Sequence, residues 1–170
     1  MISKCDSLRN ILQFEISSCC LNSNCGRKVR SRNVDQLILH RQQLERCDSF
    51  KDLVDGYMLS GNTCTCRELL YYKIDVLPTK ALLVSVDPGV DPNLEITFQP
   101  KISIHGFSWS LIARVNSLTP SGDHFTTQIS DMNGVIWDHD PMNSGGQMLN
   151  LKNQIESTGK RTYFLCYWRD

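Results

Sequence analysis

The feature that most narrows what this chain can become is a short turn, Met132-Asn133-Gly134, set between two strand-like runs. Asn-Gly supplies residues that accept positive φ, so the pattern predicts a β-hairpin closed by a tight primed turn. Ser121-Gly122-Asp123-His124-Phe125 leads into the first strand, and Ile136-Trp137-Asp138-His139-Asp140 occupies the second. Pairing about the turn carries His124 toward the Trp137–Asp140 end. Strand side chains alternate between faces, so Asp138 and Asp140 project together while Trp137 and His139 point the other way. Either carboxylate could then hold His124 Nδ1 and leave Nε2 free to take a proton. A histidine oriented by a carboxylate is two thirds of a nucleophilic triad, and the missing third is a Cys or Ser from elsewhere. The simpler alternative is a solvated hairpin end with a lone histidine.

The rest of the second half reads as strands. Ala81-Leu82-Leu83-Val84-Ser85-Val86 is a continuous apolar run of strand length, the pattern of a central strand buried on both faces. Leu94–Phe98, Lys101–Ile104, Phe107–Val115, His124–Ser130, Gly134–Asp138 and Thr162–Trp168 follow as shorter strands. In the first half Ile11–Ile16 fits a helix or a strand equally well, as does Val34–His40. Arg27–Arg32 is a basic polar run, Gly61-Asn62 marks a turn, and Leu69–Val76 alternates loosely. Asp48–Tyr57 looks like a short helix capped by Asp48 or Ser49. A β-rich α+β domain is expected.

Cysteine spacing supplies the second constellation. Cys64-Thr65-Cys66 forms one close pair, and Cys25 forms another with Cys20 or Cys19. Two close pairs separated by a long insertion are how a structural zinc joins two turns, because the ion takes four thiolate or imidazole ligands in a tetrahedron. The alternative is free cysteines, which is the simplest reading of Cys5, Cys47 and Cys166. The compartment bears on this choice. Met1–Asp6 lacks the charged-then-apolar build of a secretory signal, and no apolar run approaches the ~20 residues that span a bilayer. An intracellular protein, cytoplasmic or nuclear, is therefore expected, and in a reducing compartment eight cysteines read as metal ligands or buried thiols. Lys plus Arg equals Asp plus Glu at 18 each, which gives no reason to expect a nucleic acid or an anionic membrane as partner.

Several segments, taken in order, resemble the ubiquitin-specific protease family of papain-like cysteine proteases. Ser49-Phe50 to Gly56-Tyr57 is similar to the short helix ahead of the family's second zinc knuckle. Leu77-Pro78 with Ala81–Val86 resembles its central strand, and Phe107–Val115 the strand that follows. Ser121-Gly122-Asp123-His124-Phe125 is similar to the family's Ser-Gly-His-aromatic box, with Asp123 inserted before the histidine. Ile136–Asp140 resembles its Trp…Asp box, and Thr162–Arg169 its closing aromatic strand. The resemblance runs from Cys20 to Arg169. It implies the β-rich C-terminal half of a papain-like fold, with a fingers region over residues 1–75 and a β palm over 76–170. It implies His124 as general base, Asp140 as orienting acid with Asp138 as the fallback, and a fingers zinc on Cys20, Cys25, Cys64 and Cys66. It also implies ubiquitin or ubiquitinated proteins as partners and thiol-dependent hydrolysis of ubiquitin isopeptide bonds. The family's nucleophile lies in an N-terminal box, Asn-x4-Cys-(Tyr/Phe)-x-Asn, at a helix start that lowers the thiol pKa. That box does not occur here. Cys5 precedes Leu8–Gln13, a faint echo of the helix after that cysteine, but has no Asn at the required spacing. The expectation is either a protease completed by an N-terminal Cys box or a catalytically inactive ubiquitin-binding or scaffold protein.

Overall fold

The computed structural model describes residues 11–25, 30–39, 58–86, 98–117, 123–142, 147–152, 155 and 162–170. Twelve strands lie among them, in two sheets. The smaller sheet is built from β1 (Phe14–Cys20), β2 (Arg30–Val34), β4 (Met58–Thr63) and β5 (Leu69–Val76), in the order β2-β1-β5-β4. The larger contains β3 (Leu37–Leu39), β6 (Ala81–Val86), β7 (Lys101–Ile104), β8 (Phe107–Ser117), β9 (Phe125–Ser130), β10 (Ile136–His139), β11 (Met148–Lys152) and β12 (Thr162–Arg169). Its order is β11-β10-β9-β8-β12-β6-β3, with β7 also against β8. Every pairing is antiparallel except β3 with β6.

The apolar run Ala81–Val86 is doubly buried for a visible reason. Leu82, Val84 and Val86 join the main core with Phe14, Ile16 and Ile74 of the smaller sheet, while Ala81 and Leu83 join a second cluster with Leu12. β12 repeats the pattern. Leu165 and Tyr167 are fully buried in the main core, and Phe164 and Cys166 pack on the second cluster. Helix among the described residues is confined to Ile11 and Leu12, so the domain is β-rich. The expected helix at Asp48–Tyr57 and most of the Leu94–Phe98 strand lie outside the described residues. No helix among the described residues is long and apolar enough to cross a membrane.

Three strands escape the sequence patterns. β2 takes in the end of the basic polar run, and its charged composition suits an edge strand, where charge discourages further pairing. β4 runs through Gly61-Asn62, with a register shift between Leu59 and Thr63, so the glycine sits in an irregular strand instead of ending one. β11 has no clean alternation.

The turns also change places. At Asn133-Gly134 only the glycine has positive φ, at 77°. The Gly134 N–H donates to the Asp131 carbonyl and the Asp131 N–H to the Val135 carbonyl. This is the three-residue loop in which a left-handed glycine closes the turn, not the two-residue primed turn that Asn-Gly predicts. Asp131 explains the choice. Its carboxylate accepts from the backbone N–H groups of Asn133 and Val135 and from Trp137 Nε1, at 2.9, 2.9 and 3.1 Å. The primed turn belongs to β7–β8, where His105 and Gly106 have φ of 48° and 81° between the paired residues Ile104 and Phe107.

Leu82 is fully buried, so Leu82→Ala should cost about 2–5 kcal/mol, read from the urea midpoint. A second test concerns acid. The Trp137 indole and two backbone N–H groups hold the Asp131 carboxyl below the usual range, and Ser108, Ser110 and Lys101 do the same for Asp170. A depressed folded pKa gives stability that is present above the unfolded value of about 3.9 and lost as pH falls through the folded one. The double variant Asp131→Asn/Asp170→Asn should therefore show a flatter loss of stability below about pH 4 than the parent chain. Identical acid profiles would contradict this.

Candidate functional site

Two side-chain constellations stand apart from the core. The first is at the open end of the β9–β10 hairpin. The register pairs His139 with Thr127, Asp138 with Gln128 and Ser117 with Phe125. Continued past the strand ends, that register sets position 140, just past β10, opposite 126, so position 124, just before β9, is its diagonal neighbour on the same face. His124 Nε2 lies 2.7 Å from Asp140 Oδ1, with the two side chains only 16% and 19% exposed. The same carboxylate oxygen accepts the Met142 N–H at 2.9 Å. That Asx-type turn anchors the acid before it meets the ring, and Asp140-Pro141 is its sequence signature.

The ring nitrogen differs from the one expected. A carboxylate accepts, so the nitrogen facing Asp140 carries the proton, and that nitrogen is Nε2. In the neutral ring Nδ1 is then the base. Of the two candidate carboxylates, Asp140 meets the ring. Asp138 remains within β10, where its backbone pairs with Gln128 and Leu149.

The second constellation is the sulfur cluster. The Sγ atoms of Cys20, Cys25, Cys64 and Cys66 all lie within 4.8 Å of one another. Cys20 and Cys66 are 3.4 Å apart, and Cys25 and Cys64 3.5 Å. Zinc–sulfur bonds of ~2.3 Å in a tetrahedron require sulfurs about 3.8 Å apart, so the four fit one ion with little adjustment. Two tight turns present them. In the first, the Asn22 N–H points at Cys20 Sγ, the Cys25 N–H donates to the Asn22 carbonyl, and the Asn24 N–H donates to Asn22 Oδ1. In the second, the Arg67 N–H donates to the Cys64 carbonyl and Arg67 takes a φ of 70° to reverse the chain. Leu21 N–H to the Leu69 carbonyl ties the turns together.

Strand alternation decides between Cys19 and Cys20. Cys19 shares a β1 face with Ser17, whose hydroxyl it approaches at 3.9 Å, and Cys20 takes the opposite face, toward the other three sulfurs. The backbone N–H of Cys66 beside Cys64 draws that thiol down to about 6, whereas desolvation and neighbouring sulfurs push Cys20 up to about 12. Four thiolates in a tetrahedron are a donor set that suits structural zinc. Cys166, inside β12, is pushed up to about 11 by burial, which favours the protonated thiol over the nucleophilic thiolate. Cys5 and Cys47 lie outside the described residues.

No protein-family model matches this chain, and no curated protein matches it. Solved structures do. The SAGA Ubp8/Sgf11/Sus1/Sgf73 DUB (deubiquitinase) module contains a chain that superposes with a TM-score of 0.70 at 12% identity, over 98% of this chain and 40% of that one. The module bound to monoubiquitin gives 0.70 at 12% identity, over 98% and 43%. The module bound to ubiquitin aldehyde gives 0.66 at 11%, over 98% and 43%. The protein therefore has a deubiquitinase-like fold, and it spans about two fifths of the length of the chains it matches.

The sulfur cluster predicts about one zinc per chain by metal analysis. Cys25→Ser should lose it, and Cys19→Ser should keep it. A well-folded, metal-supplemented preparation without zinc, or equal loss in the two variants, would contradict the assignment.

Proposed function

We propose that this chain is the palm and fingers portion of an intracellular, ubiquitin-specific-protease-like domain, in which His124 is the general base and Asp140 the residue that orients it. Residues 1–75 serve as the fingers region and residues 76–170 as the palm, except that β3 (Leu37–Leu39) joins the palm sheet beside β6. The observation that carries the reading is the 2.7 Å contact between Asp140 Oδ1 and His124 Nε2, on a fold like that of the deubiquitinase modules. The module structures bound to monoubiquitin and to ubiquitin aldehyde support ubiquitin as the ligand class.

The chemistry follows from the ring. With Nε2–H donated to Asp140, Nδ1 accepts a thiol proton, and the carboxylate stabilises the imidazolium that forms. The thiolate attacks the isopeptide carbonyl after the Gly-Gly tail of ubiquitin, and the imidazolium protonates the leaving amine. Water activated by Nδ1 then hydrolyses the acyl-enzyme. None of the described cysteines suits the thiol's role. Four form the sulfur cluster, Cys19 lies on β1, and Cys166 is held protonated inside β12. Cys5 and Cys47 lie outside the described residues, but neither stands in an Asn-x4-Cys box, so our reading assigns the nucleophile to a Cys-box segment supplied from outside these 170 residues. The same observation favours one second reading, a catalytically inert ubiquitin-binding or scaffold protein.

A ubiquitin probe with a C-terminal electrophile separates them. The 170-residue chain alone should not be labelled, and labelling should appear when a Cys-box segment is supplied. His124→Ala should then lower the labelling rate by about 10²–10⁴-fold. Labelling of the bare chain that is abolished by His124→Ala would place the nucleophile within it. Ubiquitin binding without labelling under any complementation would favour the scaffold reading.

A further inference from the structure

We propose that the four-cysteine site is also a redox switch, in which a peroxide converts Cys20 with Cys66, and Cys25 with Cys64, into two disulfides that replace the metal. This inference is independent of hydrolysis and rests on how the sulfurs are paired. The 3.4 Å and 3.5 Å approaches each join one cysteine of the first turn to one of the second. Both bridges would therefore keep the β1 end of the sheet pinned to the β4–β5 turn, as the metal does. Cross-links within a turn would not. Cys64 and Cys66 are separated by one residue, a spacing that strains a disulfide ring. Cys19 faces away from the cluster, beside Ser17.

Exposure sets the order of events. Cys66 is exposed, Cys20 and Cys25 are half-buried, and Cys64 is buried. The Cys66 thiolate attacks one peroxide oxygen and the O–O bond breaks, giving a sulfenic acid and hydroxide, which takes up a proton to leave as water. The Cys20 thiolate then attacks that sulfur and expels a second hydroxide, protonated in turn. Two electrons pass from the sulfur pair to one peroxide. Cys25 and Cys64 repeat the sequence with a second peroxide. Four thiolates, two hydrogen peroxide molecules and four protons thus become two disulfides and four waters, and the bound dication is released.

The test uses the full chain loaded with zinc. Metal content before oxidant reports on the site itself, so a failure there is separable from a failure of the switch. A few equivalents of hydrogen peroxide should release about one zinc per chain to a chromogenic chelator, and circular dichroism should retain its strand signal. Alkylation followed by non-reducing peptide mapping should find Cys20 linked to Cys66 and Cys25 linked to Cys64. Dithiothreitol with added zinc should restore the loaded form, and Cys19→Ser should behave as the parent does. Retention of zinc, pairing of Cys20 with Cys25 or Cys64 with Cys66, bridges to any other cysteine, or sulfinic and sulfonic products would each overturn the proposal.

Discussion

The rest of the large sheet depends on β12 sitting between β6 and β8. Leu165 pairs with Val84 on one side and Arg114 on the other, and Tyr167 with Leu82 and Leu111. Both side chains are fully buried, and the Tyr167 hydroxyl donates to the Gln99 carbonyl, so its polar end is satisfied within the core. Without this strand, β6 and β3 would have no hydrogen-bonded link to β7–β11. The strands that frame His124 and Asp140 are linked to the doubly buried centre through β8, which β12 supports along its length. The fold therefore closes late in the sequence, on contacts between residues far apart in the chain, the topology associated with slow folding.

The two constellations are held by different physics. The histidine–carboxylate pair needs orientation, and it has rigid antiparallel pairing on one side and a backbone N–H on the acid. The four-cysteine tip lies beyond the apolar clusters, as only Cys64 of the four is buried. A metal ion supplies there what burial does not, since structural zinc in small peptides contributes about 10–16 kcal/mol, comparable to the whole stability of a typical domain. The same exposure opens the sulfurs to oxidant.

Much of this was legible in the sequence, and the remainder has physical reasons. Ala81–Val86 announced a doubly buried strand because apolar residues on both faces leave no polar period. The hairpin ends were legible because Asn133-Gly134 fixes where the chain reverses, even though Asp131 alters how it does so. The primed turn was missed at His105-Gly106 because histidine seldom takes positive φ. β2 and β4 were missed because partners in the small sheet impose extended structure on a polar run and across a glycine. Spacing alone left Cys19 and Cys20 open, and alternation along β1 decided between them. Which imidazole nitrogen meets the acid depends on side-chain rotation, which no sequence pattern encodes.

Asp140 fixes the His124 ring with Nε2 protonated and Nδ1 unprotonated. Long-range proton–nitrogen correlation NMR on the nitrogen-15-labelled chain, at a pH well above the ordinary imidazole value of about 6.5, reads this directly. His124 should show a protonated, pyrrole-type Nε2 and an unprotonated, pyridine-type Nδ1, with tautomer averaging restored by Asp140→Ala. A protonated Nδ1 in the parent chain, or a spectrum unchanged by Asp140→Ala, would contradict it.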